Sequence, residues 1–185
     1  MTGEYNKMSL KIGILTASDR ASRGEYEDIS GANIINFLKE EYGSNWEKVQ
    51  IKYHILPDER LDLRNIIMYL IKEGCCLILT TGGTGPAYRD WTTIVTKEII
   101  HKEMPGFGEM MRKVSFEKVP TAILSGQTAG IYYHEEKGCL IVNLPGSPKA
   151  IKECLEVVYP AIPYCIQLMG WEYLESRSSW KPKDK

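Results

Sequence analysis

The chain has 185 residues, of which 43% are hydrophobic and 25% charged, a composition typical of ordinary soluble globular proteins. Its 23 basic and 24 acidic residues are dispersed and give a net charge of −1, so no basic stripe indicates a nucleic-acid partner. The sequence has neither a signal-peptide core nor a run of about 18 apolar residues, and we therefore expect a cytoplasmic protein without a membrane partner.

The cysteines of the chain are predicted to be reduced thiols in the protein core. They are Cys75, Cys76, Cys139, Cys154 and Cys165. Their number is odd, they lie in apolar segments, and no CxxC spacing for zinc or redox chemistry occurs. We therefore expect free thiols that pack in the core of a protein from a reducing compartment.

The first half of the chain alternates between two hydrophobic patterns. Short apolar runs rich in β-forming residues begin at Lys11, Val49 and Cys76. Between them, residues 32–42 and 59–74 carry apolar side chains at helical spacing. Strands that are separated by helices pair in parallel, and both crossovers are expected to be right-handed. The pattern predicts a three-layer α/β/α domain with a mostly parallel sheet.

The second half continues with helices and a hairpin. Helices are predicted over residues 92–100 and 106–119. Residues 132–144 predict a hairpin that turns near Lys137 and Gly138 and ends in the last strand of the sheet.

One more helix is predicted over residues 147–159, and Pro160 and Pro163 are expected to break or kink the helical segment after it. No internal repeat and no long linker divides the chain. We therefore expect a single α/β domain with peripheral ends. The domain is assigned to residues 10–170, and the peripheral termini to residues 1–9 and 171–185.

Four polar loops follow the predicted strands. They read SDRASRGEYEDISG from Ser18, PDE from Pro57, GGTGPAYRD from Gly82 and NLPGSP from Asn143. Ligands of open α/β sheets bind beyond the carboxyl ends of the strands. The four loops are therefore expected to form one binding crevice.

The loop that begins at Gly82 has the composition of an anion site. Gly82, Gly83 and Gly85 lack side chains, so their backbone amides are free to surround phosphate oxygens. A helix that begins near Thr92 points its positive end toward them. The loop fits neither a Walker loop nor GxGxxG. A tight strand-to-helix turn uses the same residues, so the glycines alone leave both interpretations open.

Two acidic residues lie in these loops. Asp90 beside bound phosphate requires a cation between them, and Mg²⁺ commonly takes one or two carboxylates together with phosphate oxygens. Asp58 is expected to face the same crevice and is the second candidate ligand. Both residues are also explained as helix caps, Asp90 before Thr92 and Asp58 before Glu59.

Two further loops carry polar groups. The first offers hydroxyl and carboxylate groups and is long for a plain connection, which favours binding. These groups belong to Ser18, Asp19, Asp28 and Ser30. The last loop places an amide and a hydroxyl around a Pro-Gly pair before a helix, a pattern that a plain helix entry also has. Its residues are Asn143, Pro145, Gly146 and Ser147.

Six segments occur in the order SDRASRGEYEDISG, LPDE, TTGGTGPAYRD, MPGFGEMMR, PTAILSGQTAG and NLPGSPKAIKECLE. Together they resemble the bacterial molybdopterin adenylyltransferases, the Mog-type proteins of molybdenum cofactor biosynthesis. The likeness runs from about Lys11 to near Trp180. The glycine loop is shared with molybdenum-insertion proteins, whereas SDRAS and MPGFGE resemble the adenylyltransferase branch. The resemblance implies the molybdopterin-binding (MoaB/Mog-like) α/β fold.

The resemblance also implies an activity, the transfer of AMP from Mg-ATP to the terminal phosphate of molybdopterin with release of pyrophosphate. It further implies a homotrimer. Asp58 and Asp90 match the family's acidic residues and are implied to be catalytic and to hold Mg²⁺. The family's substrate and nucleotide loops match Ser18, Asp19, Asp28, Ser30, Gly31, Gly82, Gly83, Thr84, Gly85, Asn143, Pro145, Gly146 and Ser147. Molybdopterin and ATP are the implied partners, and a molybdenum-insertion protein is a further candidate partner.

Three positions depart from the family pattern. Trp91, Thr93 and Gly126 stand where a smaller apolar residue, Pro and Arg are common. Molybdenum insertion is the nearest competing activity, but proteins that perform it are longer, multi-domain chains. A pterin-binding module without catalysis and a nucleotide-binding regulator are two further candidate functions. The presence of Asp58 and Asp90 favours the enzyme over the module without catalysis, whereas tight ATP binding without pterin dependence would favour the regulator.

Overall fold

Six strands and seven helices occur in the part of the chain that the computed structural model describes, residues 9–181. The strands are β1 (Leu10–Ala17), β2 (Val49–Leu56), β3 (Leu77–Thr81), β4 (Lys102–Glu103), β5 (Ala129–His134) and β6 (Lys137–Leu144). The helices are α1 (Asp19–Ser22), α2 (Ile29–Tyr42), α3 (Arg60–Lys72), α4 (Thr92–Ile99), α5 (Pro105–Phe116), α6 (Pro148–Val158) and α7 (Ile162–Leu168). Short 3₁₀ helices cover Gly43–Lys48, Pro120–Leu124 and Tyr159–Ala161.

The strands form one sheet in the order β2-β1-β3-β6-β5-β4. The pairs β2-β1, β1-β3 and β3-β6 are parallel, whereas β5 is antiparallel to both β6 and β4. The predicted mostly parallel sheet is therefore confirmed. Its register aligns Thr16 with Thr81 and Thr81 with Leu144. The carboxyl ends of β1, β3 and β6 consequently lie side by side.

Helices cover both faces of the sheet and produce three layers. On one face, α2, α5, α6 and α7 pack on a core that includes Ile14, Leu79 and Leu140. On the other face, α3 and α4 pack on a core that includes Leu15 and Ile78. Neighbouring residues of one strand belong to different cores because successive side chains point to opposite faces. The predicted α/β/α class is confirmed.

Helix α2 begins earlier than its apolar spacing predicts, because Asp28 caps it. The Asp28 carboxylate accepts hydrogen bonds from the amides of Ser30 and Gly31 at 3.0 and 3.1 Å. These are two of the amides that the first turn of a helix leaves without an intrahelical acceptor. The polar loop after β1 consequently ends at Asp28.

The hairpin between β5 and β6 turns at Glu135 and Glu136, not near Lys137 and Gly138 as the sequence predicts. Glu135 adopts a φ of 55° at this turn. Gly138 lies inside β6 instead, where a Cβ would be 2.8 Å from the sulfur of Met169. The glycine therefore permits close packing of the chain just after α7 and does not form the turn.

The ends of two predicted helices also differ. The helix predicted to reach residue 119 ends at Phe116. Pro160 lies in the 3₁₀ helix between α6 and α7 and interrupts the helix as expected. Pro163 does not, since it occupies the first turn of α7, where a proline removes no intrahelical hydrogen bond.

Residues 171–181 contain no helix or strand and are fastened to α2 by a buried acid. Glu41 is only 3% exposed. Its carboxylate accepts hydrogen bonds from the side chain of Arg177 at 3.0 Å, the amide of Ser178 at 2.9 Å and the hydroxyl of Ser178 at 2.7 Å. This contact holds residues 177 and 178 against α2.

The five cysteines are free thiols, and all are buried except Cys165, which is partly exposed. Burial raises the pKa of the Cys75 thiol to about 11, so it is protonated near neutral pH. Within residues 9–181, no helix combines the length and the apolar character that crossing a membrane requires.

Candidate active site

The loops that carry the predicted site residues meet at one edge of the sheet. They follow β1, β2, β3 and β6, which are neighbours in the strand order. Two hydrogen bonds join the last of these loops to the others. The hydroxyl of Thr81 donates to the carbonyl of Pro145 at 2.7 Å, and the hydroxyl of Ser30 donates to the carbonyl of Gly146 at 3.2 Å. The predicted crevice is thus built from segments that are far apart along the chain.

Gly82 and Gly83 are required by both backbone conformation and space. Their φ angles are 86° and 60°, values that side-chain-bearing residues rarely adopt. A Cβ on Gly82 would be 2.1 Å from the carbonyl oxygen of Ala17, and one on Gly83 would be 2.4 Å from the hydroxyl of Thr92. The loop that connects β3 to α4 therefore turns tightly and packs against both the end of β1 and the start of α4.

The same loop leaves backbone donors available to a ligand. No described residue accepts a hydrogen bond from the amides of Gly83 or Gly85. Both glycines lie close to the N-terminus of α4, where Trp91 occupies the cap position without a side-chain hydrogen bond. Unsatisfied amides at the positive end of a helix bind anions. The two interpretations of the glycine pattern, a tight strand-to-helix turn and an anion site, are therefore compatible, because the tight turn leaves backbone amides without acceptors.

Asp19 and Asp58 hold each other in place. The amide of Asp19 donates to Oδ2 of Asp58 at 3.0 Å, and the amide of Asp58 donates to Oδ1 of Asp19 at 3.1 Å. Burial raises the pKa of the Asp58 carboxyl, and the charges of Asp19 and Asp90 raise it further, although the Asp19 amide opposes them. The interpretation of Asp58 as a helix cap is wrong, since Glu59 occupies the cap position of α3.

Asp90 is the last residue of the glycine loop. Its Oδ2 accepts a hydrogen bond from the amide of Ala87 at 2.8 Å, and the carbonyl of Ala87 accepts the amide of Asp90 at 3.0 Å. A Cβ on Gly85 would be 2.8 Å from the same Oδ2. Asp90 is therefore not the cap of α4, and its carboxylate closes the loop from Ala87 to Asp90.

Asp28 is buried beneath the site and its carboxylate is fully used by protein donors. Besides its two cap contacts, Oδ2 accepts hydrogen bonds from the hydroxyls of Thr16 and Tyr53. Asp28 is 8% exposed. A Cβ on Gly31 would clash with both Asp28 and Tyr53 at 2.6 Å, so the glycine allows this packing. Asp28 therefore fixes the start of α2 and leaves no free lone pair for a ligand.

The remaining predicted residues differ in accessibility. Ser18 caps α1, its oxygen accepting the amide of Ala21 at 3.2 Å, and it lies 2.9 Å from the hydroxyl of Tyr26. Ser147 is exposed and makes no cap hydrogen bond at the start of α6, so its hydroxyl is available. Thr84 is 6% exposed, and its hydroxyl accepts a hydrogen bond from Ser125 at 3.3 Å.

Asn143 does not reach the surface. It is fully buried in β6, and its Nδ2 donates to the hydroxyls of Thr80 and Thr96, both at 2.9 Å. Its Oδ1 has no hydrogen-bond partner among the described residues. Direct contact of Asn143 with a ligand, as the sequence pattern suggests, does not fit this position. The side chain instead links β3, β6 and α4 behind the glycine loop.

Residues 13–164 match the protein family described as a probable molybdopterin binding domain. The chain belongs to this family. A molybdopterin adenylyltransferase of Helicobacter pylori is 50% identical over 168 residues, which cover 90% of this chain and 92% of the relative. The molybdopterin adenylyltransferase of Escherichia coli is 40% identical over 192 aligned positions that cover 95% of each chain.

The solved structures agree with this assignment. The molybdopterin biosynthesis enzyme MoaB from Thermus thermophilus matches with a TM-score of 0.76 and 38% identity, covering 89% of this chain and 99% of that one. The MoaB/Mog-like fold that the sequence motifs imply is therefore confirmed. The molybdopterin-binding family is also the family to which the sequence resemblance points.

Asp58 and Asp90 have the chemistry of metal ligands. A Cβ on Gly83 would be 3.4 Å from Oδ1 of Asp58, and one on Gly85 would be 2.8 Å from Oδ2 of Asp90, so both carboxylates lie beside glycines of the loop. No cluster of three or more His, Cys, Asp or Glu side chains suited to a metal occurs within residues 9–181. Mg²⁺ is usually bound by one or two carboxylates plus substrate phosphates, without an all-protein cage. The two acids fit an ion that arrives with a nucleotide.

Two of the positions that depart from the family pattern are in contact. The amide of Gly126 donates to the carbonyl of Thr84 at 2.7 Å, and a Cβ on Gly126 would be 3.1 Å from the hydroxyl of Thr93. The third, Trp91, packs against the core under α3 and α4. The departures therefore lie behind the glycine loop and leave Asp58 and Asp90 in place.

Sequence reasoning gave no site role to two residues that the structure brings into the site. Arg89 pairs with Asp19 and Glu59, both at 2.9 Å. Thr92 is fully buried below Gly83, and its hydroxyl has no hydrogen-bond partner in the described part of the chain. The available signal was the position of both residues on either side of Asp90. The partners of Arg89, however, lie in other segments of the chain, so its position in the sequence does not predict them.

Proposed function

We propose that this chain is a molybdopterin adenylyltransferase that transfers AMP from Mg-ATP to the terminal phosphate of molybdopterin and releases pyrophosphate. The observation that carries the proposal is that Asp58 and Asp90 both lie against a glycine loop with unsatisfied amides, since a Cβ on Gly83 would be 3.4 Å from Asp58 and one on Gly85 would be 2.8 Å from Asp90. Carboxylates beside phosphate-binding amides are expected of a metal–nucleotide site. Relatives that are 40% and 50% identical over nearly their whole length carry this activity in their names.

In this proposal the glycine loop and the start of α4 bind the nucleotide phosphates. The amides of Gly83 and Gly85 donate to phosphate oxygens, and the positive end of α4 lowers the cost of bringing the negative charge there. The loop after β6 lies against the same turn, since a Cβ on Gly146 would be 3.6 Å from the Cα of Gly82. Ser147, with its free hydroxyl, then lines the pterin side of the crevice together with Pro145 and Gly146.

Asp58 and Asp90 are the proposed ligands of Mg²⁺. The bound ion would neutralise phosphate charge and orient the α-phosphate and the leaving group. Asp58 is kept in position by the two hydrogen bonds that it shares with Asp19. A nearby cation favours the ionised carboxylate and so opposes the burial that raises the pKa of Asp58.

The transfer itself needs little proton chemistry. A phosphate oxygen of molybdopterin attacks the α-phosphorus in line, a new phosphorus–oxygen bond forms, and the bond to the bridging oxygen of the β-phosphate breaks. Pyrophosphate leaves with the electron pair of that bond. Because the attacking oxygen is already ionised, no general base is required. The contribution of the protein is to align the two phosphates and to offset their repulsion.

Two of the predicted site residues, Asp28 and Asn143, are buried and support the substrate loops through contacts with other protein groups. Asp28 fixes the start of α2 and thereby the position of Ser30, whose hydroxyl holds the carbonyl of Gly146. Asn143 ties β3 to α4, the two elements that the glycine loop connects. Both residues are proposed to shape the crevice without touching the ligand.

A cytoplasmic homotrimer, with a molybdenum-insertion protein as a candidate partner, is also part of the proposal. Its support is the family resemblance and an exposed apolar surface around the end of α5, since surfaces of this kind mark interfaces. The side chains concerned are Phe116, Val119, Ile123 and Leu124, which are 49–67% exposed. Light scattering on the purified protein measures the number of subunits.

The decisive experiment is pyrophosphate release from Mg-ATP with and without molybdopterin, for the wild type, Asp90→Ala and the control Asp62→Ala. Asp62 is exposed on α3 and forms no ion pair within residues 9–181. Release that requires both molybdopterin and Asp90 supports the proposal. Wild-type turnover in Asp90→Ala refutes the assignment of Asp90, and pterin binding without any pyrophosphate indicates a carrier.

A further inference from the structure

Arg89 joins three loops at the edge of the sheet. Its Nη2 nitrogen lies 2.9 Å from Oδ1 of Asp19 and 2.9 Å from Oε1 of Glu59. Asp19 follows β1, Glu59 follows β2, and Arg89 itself follows β3. One guanidinium group therefore connects segments that are 70 and 30 residues away from it along the chain.

The connection extends to both proposed metal ligands. Oδ1 of Asp19, the atom that contacts Arg89, also accepts the amide of Asp58 at 3.1 Å, and the amide of Asp19 donates to Asp58 in return. On its other side, Arg89 precedes Asp90, whose carboxylate is bound to the amide of Ala87. Arg89 is thus one contact away from Asp58 and one residue away from Asp90.

Arg89 lies among several negatively charged side chains. Four carboxylates lie at this edge of the sheet, those of Asp19, Asp58, Glu59 and Asp90. Among residues 9–181, no lysine or arginine other than Arg89 forms an ion pair with any of them. Arg20 and Arg23 pair with Glu25 instead, and Arg60 pairs with Glu98. Like charges in neighbouring loops repel each other, and Arg89 offsets this repulsion before a metal–nucleotide complex is bound.

We infer that Arg89 is a positioning residue for the metal–nucleotide site: it holds the loop of Asp90 against the loops of Asp19 and Glu59 and thereby sets where Asp58 lies relative to Asp90. The inference rests on the proposed function, since Mg-ATP is the ligand that the two acids are proposed to bind. Arg89 acts on Asp58 through its contact with Asp19, and on Asp90 through the backbone that joins the two residues. Its side chain is 50% exposed, and exposed ion pairs add little to stability, so variants at this position are expected to fold.

The test combines two measurements on Arg89→Gln, Arg89→Lys and the matched control Arg60→Gln, which removes a neighbouring exposed ion pair. Amide hydrogen exchange without ligand reports whether the amides of Asp19, Asp58 and Ala87 lose protection. Calorimetry reports the affinity for Mg-ATP, for ATP in EDTA and for molybdopterin.

Arg89→Gln is expected to lose amide protection and to bind Mg-ATP about tenfold or more weakly, as for other changes that disturb the support of a metal ligand. Its affinity for metal-free ATP should fall less than its affinity for Mg-ATP, because the amides of Gly83 and Gly85 are kept, and its affinity for molybdopterin should stay within about twofold. Arg89→Lys keeps the charge and should recover part of the Mg-ATP affinity, and Arg60→Gln should resemble the wild type.

Wild-type affinity for Mg-ATP in Arg89→Gln overturns the inference, and so does an equal loss in Arg60→Gln. Unchanged exchange in Arg89→Gln overturns it as well, since the loops would then be held without the ion pair. If the wild type binds Mg-ATP but releases no pyrophosphate with molybdopterin, the proposed function fails while the Arg89 inference is still decided by the affinities. If the wild type binds no Mg-ATP, both fail.

Discussion

Asp19 and Asp58, which are 39 residues apart, each donate their backbone amide to the carboxylate of the other, at 3.0 and 3.1 Å. The pair fixes the loop after β1 against the loop after β2. It also places a partly buried carboxylate at the edge of the sheet where the glycine loop turns. The consequences can be measured at Asp58 itself.

Asp58→Asn keeps an oxygen that accepts the Asp19 amide but removes the charge proposed to bind Mg²⁺. We expect pyrophosphate release to fall by about 100-fold or more, as when one electrostatic group of an active site is removed. Molybdopterin binding and the thermal midpoint should stay close to those of the wild type. Asp62→Asn, an exposed position on α3, is the control in the same assay. Normal turnover in Asp58→Asn would show that its charge is not used.

Gly82→Ala is expected to lower the free energy of unfolding by about 3 kcal/mol or more, because its φ of 86° is strained for alanine and the new Cβ meets the Ala17 carbonyl at 2.1 Å. Gly24→Ala separates the two causes. Gly24 has a φ of 71° but no atom within 4 Å of its Cβ position, so only strain of about 1 kcal/mol should remain.

Urea unfolding of the two glycine variants measures this difference, and calorimetry with Mg-ATP measures its effect on the site. The nucleotide should bind weakly to Gly82→Ala and normally to Gly24→Ala. Equal losses of stability in the two variants would contradict the close approach of the loop to β1.

Glu41→Gln tests the contact that fastens residues 171–181. Burial raises the pKa of Glu41, but the hydrogen bonds from Ser178 and Arg177 outweigh it, and the pKa lies below the ordinary 4.5. A lowered pKa means that the ionised form stabilises the fold above pH 4.5 and that this stabilisation disappears as the pH falls through the folded-state value.

At pH 7, Glu41→Gln should therefore lower the free energy of unfolding by about 1–3 kcal/mol, and the difference from the wild type should shrink as the pH falls below the ordinary pKa. Urea unfolding at a series of pH values measures it. Glu156→Gln, which loses only an exposed contact to Lys152, should change stability by less than about 0.5 kcal/mol throughout. A difference that is independent of pH would rule out the charge as its origin.

Tyr53→Phe removes one hydroxyl from the carboxylate of Asp28 and should cost about 1 kcal/mol in the free energy of unfolding. Asp28→Asn places an amide among donors and should cost about 2–3 kcal/mol. Because Asp28 has no free lone pair for a ligand, Mg-ATP affinity should change little in Tyr53→Phe. Tyr69→Phe, an exposed tyrosine, is the control for the loss of a hydroxyl. A large loss of affinity in Tyr53→Phe with normal stability would assign Asp28 to the ligand instead.

The secondary structure was largely readable from the sequence. The apolar run from Val49 corresponds to β2 (Val49–Leu56) without a shift, and the helical spacing after Asp58 corresponds to α3. Local physics decides such elements, since side-chain periodicity determines which face is buried. The hairpin turn was misplaced because Gly138 has a packing role against Met169, which no local pattern reveals.

The candidate site was partly readable for the same reason. Polar loops at strand ends and glycines before a helix are local signals, and they predicted the segments of Asp58, Asp90 and Gly82. The roles of individual residues were less accessible. Asp28 and Asn143 have the chemistry of ligand contacts, but both are buried and satisfy protein groups. The residue type shows what a side chain can bind, but it does not show which group of the folded protein or ligand becomes its partner.

The sequence by itself therefore determined most of the strands and helices, the order of the loops and the family to which the chain belongs, whereas α1 and β4 were not predicted. Only the tertiary structure decided that the strands lie in the order β2-β1-β3-β6, which brings Arg89 to Asp19 and Glu59 and Tyr53 to Asp28. The physical reason is distance along the chain. Hydrophobic period and turn chemistry act over a few residues, whereas an ion pair across 70 residues exists only after the sheet has assembled.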